Sequence, residues 1–454
     1  MQDSPWVSDS NAALFTDLYE LTMLQSYFDE GMNAVAVFDL FMRRLPSNRN
    51  YLIACGLEHA LHYLESFTFS AGAIEYLRSL NRFSEPFLES LREFRFTGDV
   101  YAVPEGTVVF ANEPLIEVSA PLPQAQVIET FLMNQIQLAS LAASKAARVV
   151  SAARGRSVVD FGVRRMHGAD AGIKEPRAFY VGGVDSTSSV LAGKLWGIPV
   201  AGTMAHSYIL AFESELEAFR HFLRTYPAAI LLIDTYDVDK GVQHIIELAR
   251  ALGSEFQVSG VRLDSGDLAR HAHDVRRQLD AAGLGQVRIF ASSSLDEYEI
   301  DRIVAAGAPI NGFGVGGRLA TSSDVPILDT AYKLVEYAGR PKMKLSESKA
   351  TLPGRKQVFR EKSEGKAVRD VIGLMGERGV PGESLLSKVM ENGRRTQPAE
   401  PLEECRARCK EELNSLPERL MSLSKAHPGY EVELSPALTE LRDKTSSGAG
   451  GAKK

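Results

Sequence analysis

The sequence predicts an α/β fold: a TIM-like barrel of parallel strands, with a second α+β domain that takes both ends of the chain. Three observations carry the prediction. Between residues 157 and 339, short apolar runs (SVVDFG, AFYVGG, PVAGTMAH, AILLID, VSGVRLDSG, VRIFASSS, INGFGVGG and YKLVEYAG) alternate with helix-length segments, as parallel strands joined by helical crossovers do. Several of these runs end in polar or glycine residues, at the carboxyl ends where a barrel gathers its working loops. The flanking segments differ in texture: residues 100–118 are β-rich with glycine and proline turns, and the chain after Gly339 is charged and turn-like.

In order, residues 12–31 place Leu14, Leu18, Leu21 and Leu24 at helical spacing with Gly31 as a stop. AVAVFDLFMRR reads as a strand running into a turn around Pro46 and Ser47. Helical patterns fill residues 56–96, and VYAVPEGTVVFANEPLIEV supplies further strands. Residues 130–151, rich in Leu, Ala and Gln, predict a long helix. These readings divide the chain into an N-terminal domain (1–120), a barrel (121–338) and a C-terminal part (339–454) that returns to the first domain. A tail of small residues and lysine is expected to be flexible from about 443.

Composition narrows the class of function. A chain of 454 residues with 44% hydrophobic and 24% charged side chains buries a full core, which excludes a disordered protein. A net charge of -7 argues against general nucleic-acid binding, which needs a basic excess to neutralise phosphates. Three cysteines, Cys55, Cys405 and Cys409, make no disulfide framework; Cys405 and Cys409 lie one helical turn apart with no clustered His, and read as thiols rather than zinc ligands. The N-terminus lacks a basic segment followed by an apolar one, and no apolar run approaches a bilayer span, so a cytoplasmic protein without a membrane partner is expected.

Four segments carry candidate chemistry. DFGVRRMHG offers Phe161 as a stacking face and Arg164 as a fork for a carboxylate or phosphate; a buried ring and a surface ion pair account for them equally well. GTMAHSY sets Thr203, His206 and Ser207 after a strand, and LIDTYD puts Asp234 at a strand end, able to fix an imidazole tautomer. A hydrogen-bonded structural histidine is the equal alternative. VRLDSGDL compresses Arg262 and Asp264 into one junction, a composition that handles a polyol and a metal-bound phosphate together. FGVGGRL, with Gly314, Gly316 and Gly317, exposes backbone N–H groups late in the barrel, where phosphate binds; the spacing fits neither a Walker loop nor a dinucleotide fingerprint.

Taken in order, FTDLYELTM, DFGVRRMHG, GTMAHSY, LIDTYD, VRLDSGDL, ASSSLDEY and FGVGGRL closely resemble the nicotinate phosphoribosyltransferases, from Phe15 to about Val335. The resemblance implies an irregular α/β barrel, a domain built from both chain ends, and a homodimer whose site takes an aromatic residue, here Tyr19, from the neighbouring subunit. It implies transfer of phosphoribosyl from phosphoribosyl pyrophosphate to nicotinate, giving nicotinate mononucleotide and pyrophosphate in NAD biosynthesis. ATP hydrolysis is coupled through a phosphohistidine, and Mg²⁺ enters on the substrate phosphates.

The roles implied are specific. Tyr19 and Phe161 sandwich the pyridine ring, Arg164 and the Thr203 region meet its carboxylate or a phosphate, and Ser207 joins them. His206 is phosphorylated, with Asp234 orienting its imidazole. Arg262 and Asp264 meet pyrophosphate and ribose, and Gly316 with Gly317 holds the 5-phosphate. One departure stands out: the family usually has threonine where Gly317 stands, which makes nicotinamide phosphoribosyltransferase the nearest rival. Asp185, Ser186 and Ser188 are candidates for telling the two bases apart. A sugar-phosphate aldolase or isomerase would want a lysine or carboxylate base at a strand end, whereas Lys174, Lys194 and Lys240 fall in turns or helices. A non-catalytic scaffold would have lost more than one site residue.

Overall fold

The computed structural model describes residues 6–346 and 351–450. The chain divides into two compact units, one formed by residues 1–143 and 327–454, the other by residues 144–326. Among the described residues no helix is long and apolar enough to cross a membrane.

The first unit is built on a seven-stranded sheet. At its centre Val35–Met42 pairs antiparallel with Thr330–Tyr337 on one side and Pro114–Pro121 on the other. All but the first residue of Val35–Met42 are buried, including Asp39, whose carboxylate is met by the equally buried ammonium of Lys356 at 2.8 Å. A lone buried charge would be costly, and the pair keeps a polar residue in an otherwise apolar strand. The helix Leu18–Asp29 buries Leu21 and Leu24 but leaves Leu18 and Tyr19 exposed. Phe131, on the long helix Glu129–Ala153, stacks on Tyr63 at 3.8 Å between ring centroids. A four-stranded sheet completes the unit; its hairpin Lys356–Ser363/Lys366–Leu374 turns through Glu364 and Gly365, both at positive φ, as a two-residue turn requires.

The second unit is a six-stranded parallel sheet in the order Ser186–Thr187, Ser157–Asp160, Gly312–Val315, Arg288–Ser293, Gly260–Leu263, Ile230–Leu232. The strands are short and apolar because helices join them, and hydrophobic residues such as Val158, Leu231, Val261, Ile289 and Phe313 are fully buried.

Several expectations change. The closed barrel is not formed: beyond Thr187 the sheet gains a single parallel bridge to Val200, and Ile230–Leu232 pairs only with Gly260–Leu263 among the described residues. After that bridge the chain leaves the sheet to reach the helix His206–Leu210, so PVAGTMAH makes no full strand. AFYVGG instead ends the helix Ala171–Val181, in which every residue from Glu175 to Val181 is buried; a helix covered on all sides loses the 3.6-residue alternation that would mark it. YKLVEYAG belongs to the first unit's sheet, where Tyr332 stacks on Phe38 at 4.9 Å and donates to the carbonyl of Ala125. The end of the chain is helical over Pro436–Gly450 rather than loose from 443, since the hydroxyl of Ser435 caps it and Leu438 is buried. Residues 451–454 of that tail lie outside the described residues. Cys55, Cys405 and Cys409 are buried free thiols, and burial pushes Cys409 up to about 12, beyond thiolate chemistry near neutral pH.

Candidate active site

The carboxyl ends of the six parallel strands bring most of the candidate residues together. Strand register explains the first contact. Leu232 is level with Arg262, so two residues further on Asp234 lies beside Asp264, and its Oδ2 accepts from the Asp264 backbone N–H at 2.8 Å and from the Ser265 hydroxyl at 2.6 Å. Asp234 Oδ1 is buried and has no partner.

His206 opens a short helix and is held by other groups than expected. Its Nδ1 is 3.1 Å from the Thr235 hydroxyl and its Nε2 is 3.6 Å from Asp264 Oδ2. Asp234 therefore does not orient this imidazole: strand register sets it against the Asp264 backbone, and the groups within reach of the ring nitrogens are Thr235 and Asp264. Asp264 is the central group, because its other oxygen accepts from Ser292 at 2.5 Å and Oδ2 also stands 3.5 Å from Arg262 Nη2.

Arg262 is largely buried. It donates through Nη1 to the Thr203 hydroxyl and to the Met204 carbonyl at 3.1 Å, while its Nε is buried without a partner. The guanidinium lies over the Phe161 ring, 5.7 Å from the centroid. Phe161 rests on Gly314, where a Cβ would come within 2.4 Å of the ring edge, so only glycine leaves room for it. Arg164, in the turn after Phe161, is exposed and makes no hydrogen bond or ion pair among the described residues; Ser207 is exposed in the first turn of its helix. Tyr19 stands on the first unit, 47% exposed, its hydroxyl pushed up by partial burial and by Glu129 and Glu20.

The glycine loop tolerates more than its sequence suggests. A Cβ at Gly317 would meet only the aliphatic stem of Arg165, at 3.7 Å or more, and the backbone there is not left-handed. Gly317→Thr is therefore expected to fold normally, with Tm unchanged within about 2 °C, and to lower the KM for a phosphorylated substrate a few-fold by adding one hydroxyl, worth about 1 kcal/mol. A raised KM in steady-state assays would contradict this reading of the loop.

Residues that the sequence leaves without a role complete the site. Asp160, fully buried, accepts from the Thr187 hydroxyl at 2.7 Å and from the Gly162 N–H at 2.7 Å, fixing the turn that presents Phe161. Burial pushes its carboxyl up to about 6, opposed by those two bonds. Thr235 and Ser292 sit inside the motifs LIDTYD and ASSSLDEY but were not singled out; a hydroxyl one or two places past an apolar run is the signal that could have found them. Asp185 is elsewhere: its carboxylate accepts from the Val158 N–H at 3.0 Å, in the amino half of its strand, because Ser186 is level with Val159. Ser186 is buried, and Ser188 donates its N–H to the Asp160 carbonyl.

Glu175 packs near Asp160 and its Oε2 has no partner. Burial, followed by the Asp160 charge, pushes it up to about 8. A carboxyl raised in the folded state costs stability as pH rises, from the unfolded value of 4.5 through about 8. Glu175→Gln is thus expected to match wild type near pH 5 and exceed it in Tm near pH 8.5; an offset that is the same at both pH values would contradict it.

Among the described residues no cluster of three or more His, Cys, Asp or Glu side chains could hold a metal ion by itself. The unpartnered Asp234 Oδ1 and the nearby Asp264 carboxylate are nevertheless the hard oxygen donors that Mg²⁺ takes when substrate phosphates supply the rest of its shell.

A parallel sheet that gathers an arginine, two aspartates and an imidazole beside a glycine loop defines an α/β enzyme built to handle phosphorylated substrates. Comparison with known proteins makes this specific. A family model for the nicotinate phosphoribosyltransferase N-terminal domain matches residues 14–137, and one for the C-terminal domain matches residues 380–442. A nicotinate phosphoribosyltransferase of Mycobacterium tuberculosis is 52% identical over 93% of this chain and 91% of its own length. The one from Bacillus subtilis is 40% identical over 78% of this chain and 74% of its own. The crystal structure of human nicotinic acid phosphoribosyltransferase superposes with a TM-score of 0.85 at 30% identity, covering 94% of this chain and 99% of that one. A nicotinate-nucleotide pyrophosphorylase from Pyrococcus furiosus superposes with a TM-score of 0.75 at 26% identity, covering 91% and 99%. The chain belongs to the nicotinate phosphoribosyltransferase family.

Proposed function

We propose that the protein transfers the phosphoribosyl group of phosphoribosyl pyrophosphate to the ring nitrogen of nicotinate, forming nicotinate mononucleotide and pyrophosphate in NAD biosynthesis, with ATP hydrolysis coupled through phosphorylation of His206. The observation that carries the choice of base is the cationic surroundings of Phe161, with Arg262 over its ring and Arg164 exposed in the turn that follows it, while Asp185 is engaged at the far end of its strand. A cation beside the ring favours a carboxylate; an acid there would favour an amide NH₂. This separates nicotinate from the rival nicotinamide.

In this reading the pyridine ring lies on Phe161, with Tyr19 from a second copy of the chain on its other face, and Arg164, Thr203 and Ser207 meet its carboxylate or a neighbouring phosphate. Gly314 makes room for the ring, and Gly316 and Gly317 present backbone N–H groups to the 5-phosphate. As the C1–pyrophosphate bond breaks, positive charge develops on the ribose and negative charge on the leaving group. Arg262 is placed for the second, its buried Nε free to donate, and Asp264 for the first. Asp234 and Asp264 are the residues that would hold Mg²⁺, which when bound would supply charge neutralisation for the leaving group. His206 attacks the γ-phosphoryl of ATP through a ring nitrogen, releasing ADP, and Asp264 and Thr235 fix the ring for that attack.

We read the six parallel strands and the Val200 bridge as an irregular barrel, the active form as a homodimer, and the site of action as the cytoplasm, which suits three cysteines in no disulfide. Mass analysis of the purified protein incubated with nicotinate, phosphoribosyl pyrophosphate and Mg²⁺ tests the proposal. Nicotinate mononucleotide is the expected product, and absence of any nucleotide would overturn it.

A further inference from the structure

We infer that the turn joining Arg288–Ser293 to the helix Glu297–Ala305 positions both halves of the site: Ser292 holds Asp264 toward His206, while Asp296 holds Arg318 at the carboxyl end of the glycine loop, backed by the Glu297–Lys145–Asp324 chain of ion pairs. The inference rests on the reading of His206 as the phosphoryl acceptor and of the glycine loop as the phosphate site.

Ser292 is buried, 3% exposed, and its hydroxyl donates to Asp264 Oδ1. With that oxygen fixed, Oδ2 is the one left to face both His206 Nε2 and Arg262 Nη2. A carboxylate bound at one oxygen can no longer swing freely, so the imidazole meets a fixed acceptor. The next residue, Ser293, has φ 139°, which side chains other than glycine rarely adopt; the turn is held there by its surroundings.

Three residues further on, Asp296 does two things at once. Oδ1 caps the helix by accepting from the Glu299 N–H at 2.9 Å, and Oδ2 takes Arg318 Nη1 at 2.6 Å. Arg318 directly follows Gly316 and Gly317, so this pair anchors the carboxyl end of the loop. Glu297 is fully buried and receives Lys145 Nζ at 2.5 Å and Arg148 Nε at 2.9 Å. Lys145 continues to Asp324 Oδ1 at 2.7 Å, further along the chain beyond Arg318. Lys145, Arg148 and Glu297 are buried, and charges this deep move only together, while Asp324 lies at the surface end of the chain of pairs. One six-residue segment thus touches the acid and imidazole side of the site and the carboxyl end of the phosphate side.

Ser292→Ala and Asp296→Asn separate the two roles, since asparagine keeps the helix cap but removes the charge facing Arg318. Two quantities are measured on each full-length variant and on wild type: phosphoenzyme formation from γ-labelled ATP without the second substrate, and the KM for phosphoribosyl pyrophosphate during nicotinate turnover. Ser292→Ala is expected to slow labelling about 10-fold, and to raise KM as well, because it loosens Asp264, which faces both His206 and the ribose; the labelling loss is what sets it apart from Asp296→Asn. Asp296→Asn is expected to raise KM about 10-fold while labelling stays within about two-fold. Equal losses in both quantities for both variants, or no change in either, would overturn the assignment and leave a purely structural turn. A wild type that takes up no label would overturn the reading of His206 and with it the role of Ser292; the KM of Asp296→Asn would still decide the loop half.

Discussion

His206→Ala is expected to abolish ATP consumption while a slow formation of nicotinate mononucleotide persists. In the proposed function this imidazole takes the phosphoryl group; its nitrogens face the Thr235 hydroxyl at 3.1 Å and the Asp264 carboxylate at 3.6 Å, and its side chain is 39% exposed. The ribosyl step needs no base, since nicotinate brings its own nucleophilic nitrogen and pyrophosphate leaves as an anion. Loss of the ring thus removes the coupled step and slows overall turnover by about 10- to 100-fold. Coupled measurement of ADP and mononucleotide checks this, and ATP hydrolysis continuing at the wild-type rate would contradict the assignment.

Gly314→Ala is expected to damage nicotinate binding more than any other single methyl group in the second unit. The added Cβ would lie 2.4 Å from Cδ2 and Cε2 of Phe161, well inside contact distance, and 3.3 Å from the Ser292 Cβ on the other side. The ring, being the movable partner, has to leave its place under Arg262, which forfeits a cation–π contact of about 0.5–2 kcal/mol and the stacking face. Overpacking of this kind costs about 1–3 kcal/mol of stability, so a Tm drop of several degrees should accompany a KM for nicotinate raised about 10-fold or more. An unchanged KM would mean that Phe161 does not carry the ring.

The contrast between Gly314 and Gly317 illustrates how far sequence reading reached. Both glycines were visible as a loop signal after an apolar strand. Only coordinates reveal that one is required by a ring packed against it and the other is not, because the ring comes from a strand more than 150 residues earlier. The parallel strands from Ser157 to Val315 were legible because short apolar runs ending in polar residues are what a sheet covered by helices demands. The carboxyl-end residues Phe161, Asp234, Arg262 and Asp264 followed from the same pattern.

What stayed hidden depends on lateral register. Asp234 looked like the partner of His206 from its place at a strand end, yet the level pairing of Leu232 with Arg262 delivers it to the backbone of Asp264 instead. Asp185 looked like a specificity residue, but the pairing of Ser186 with Val159 leaves it short of the carboxyl end. Thr330–Tyr337 had the composition of another parallel strand, and nothing local records that its partner is Val35–Met42, almost 300 residues earlier. The helix ending in AFYVGG was misread because complete burial erases periodicity.

A competition assay tests the central claim most directly: equimolar nicotinate and nicotinamide are supplied with phosphoribosyl pyrophosphate and Mg²⁺, with and without ATP, and products are resolved by mass. The cation over Phe161 and the position of His206 predict predominant nicotinate mononucleotide, increased by ATP with release of ADP. Predominant nicotinamide mononucleotide, or a yield that ATP does not change, would contradict the account.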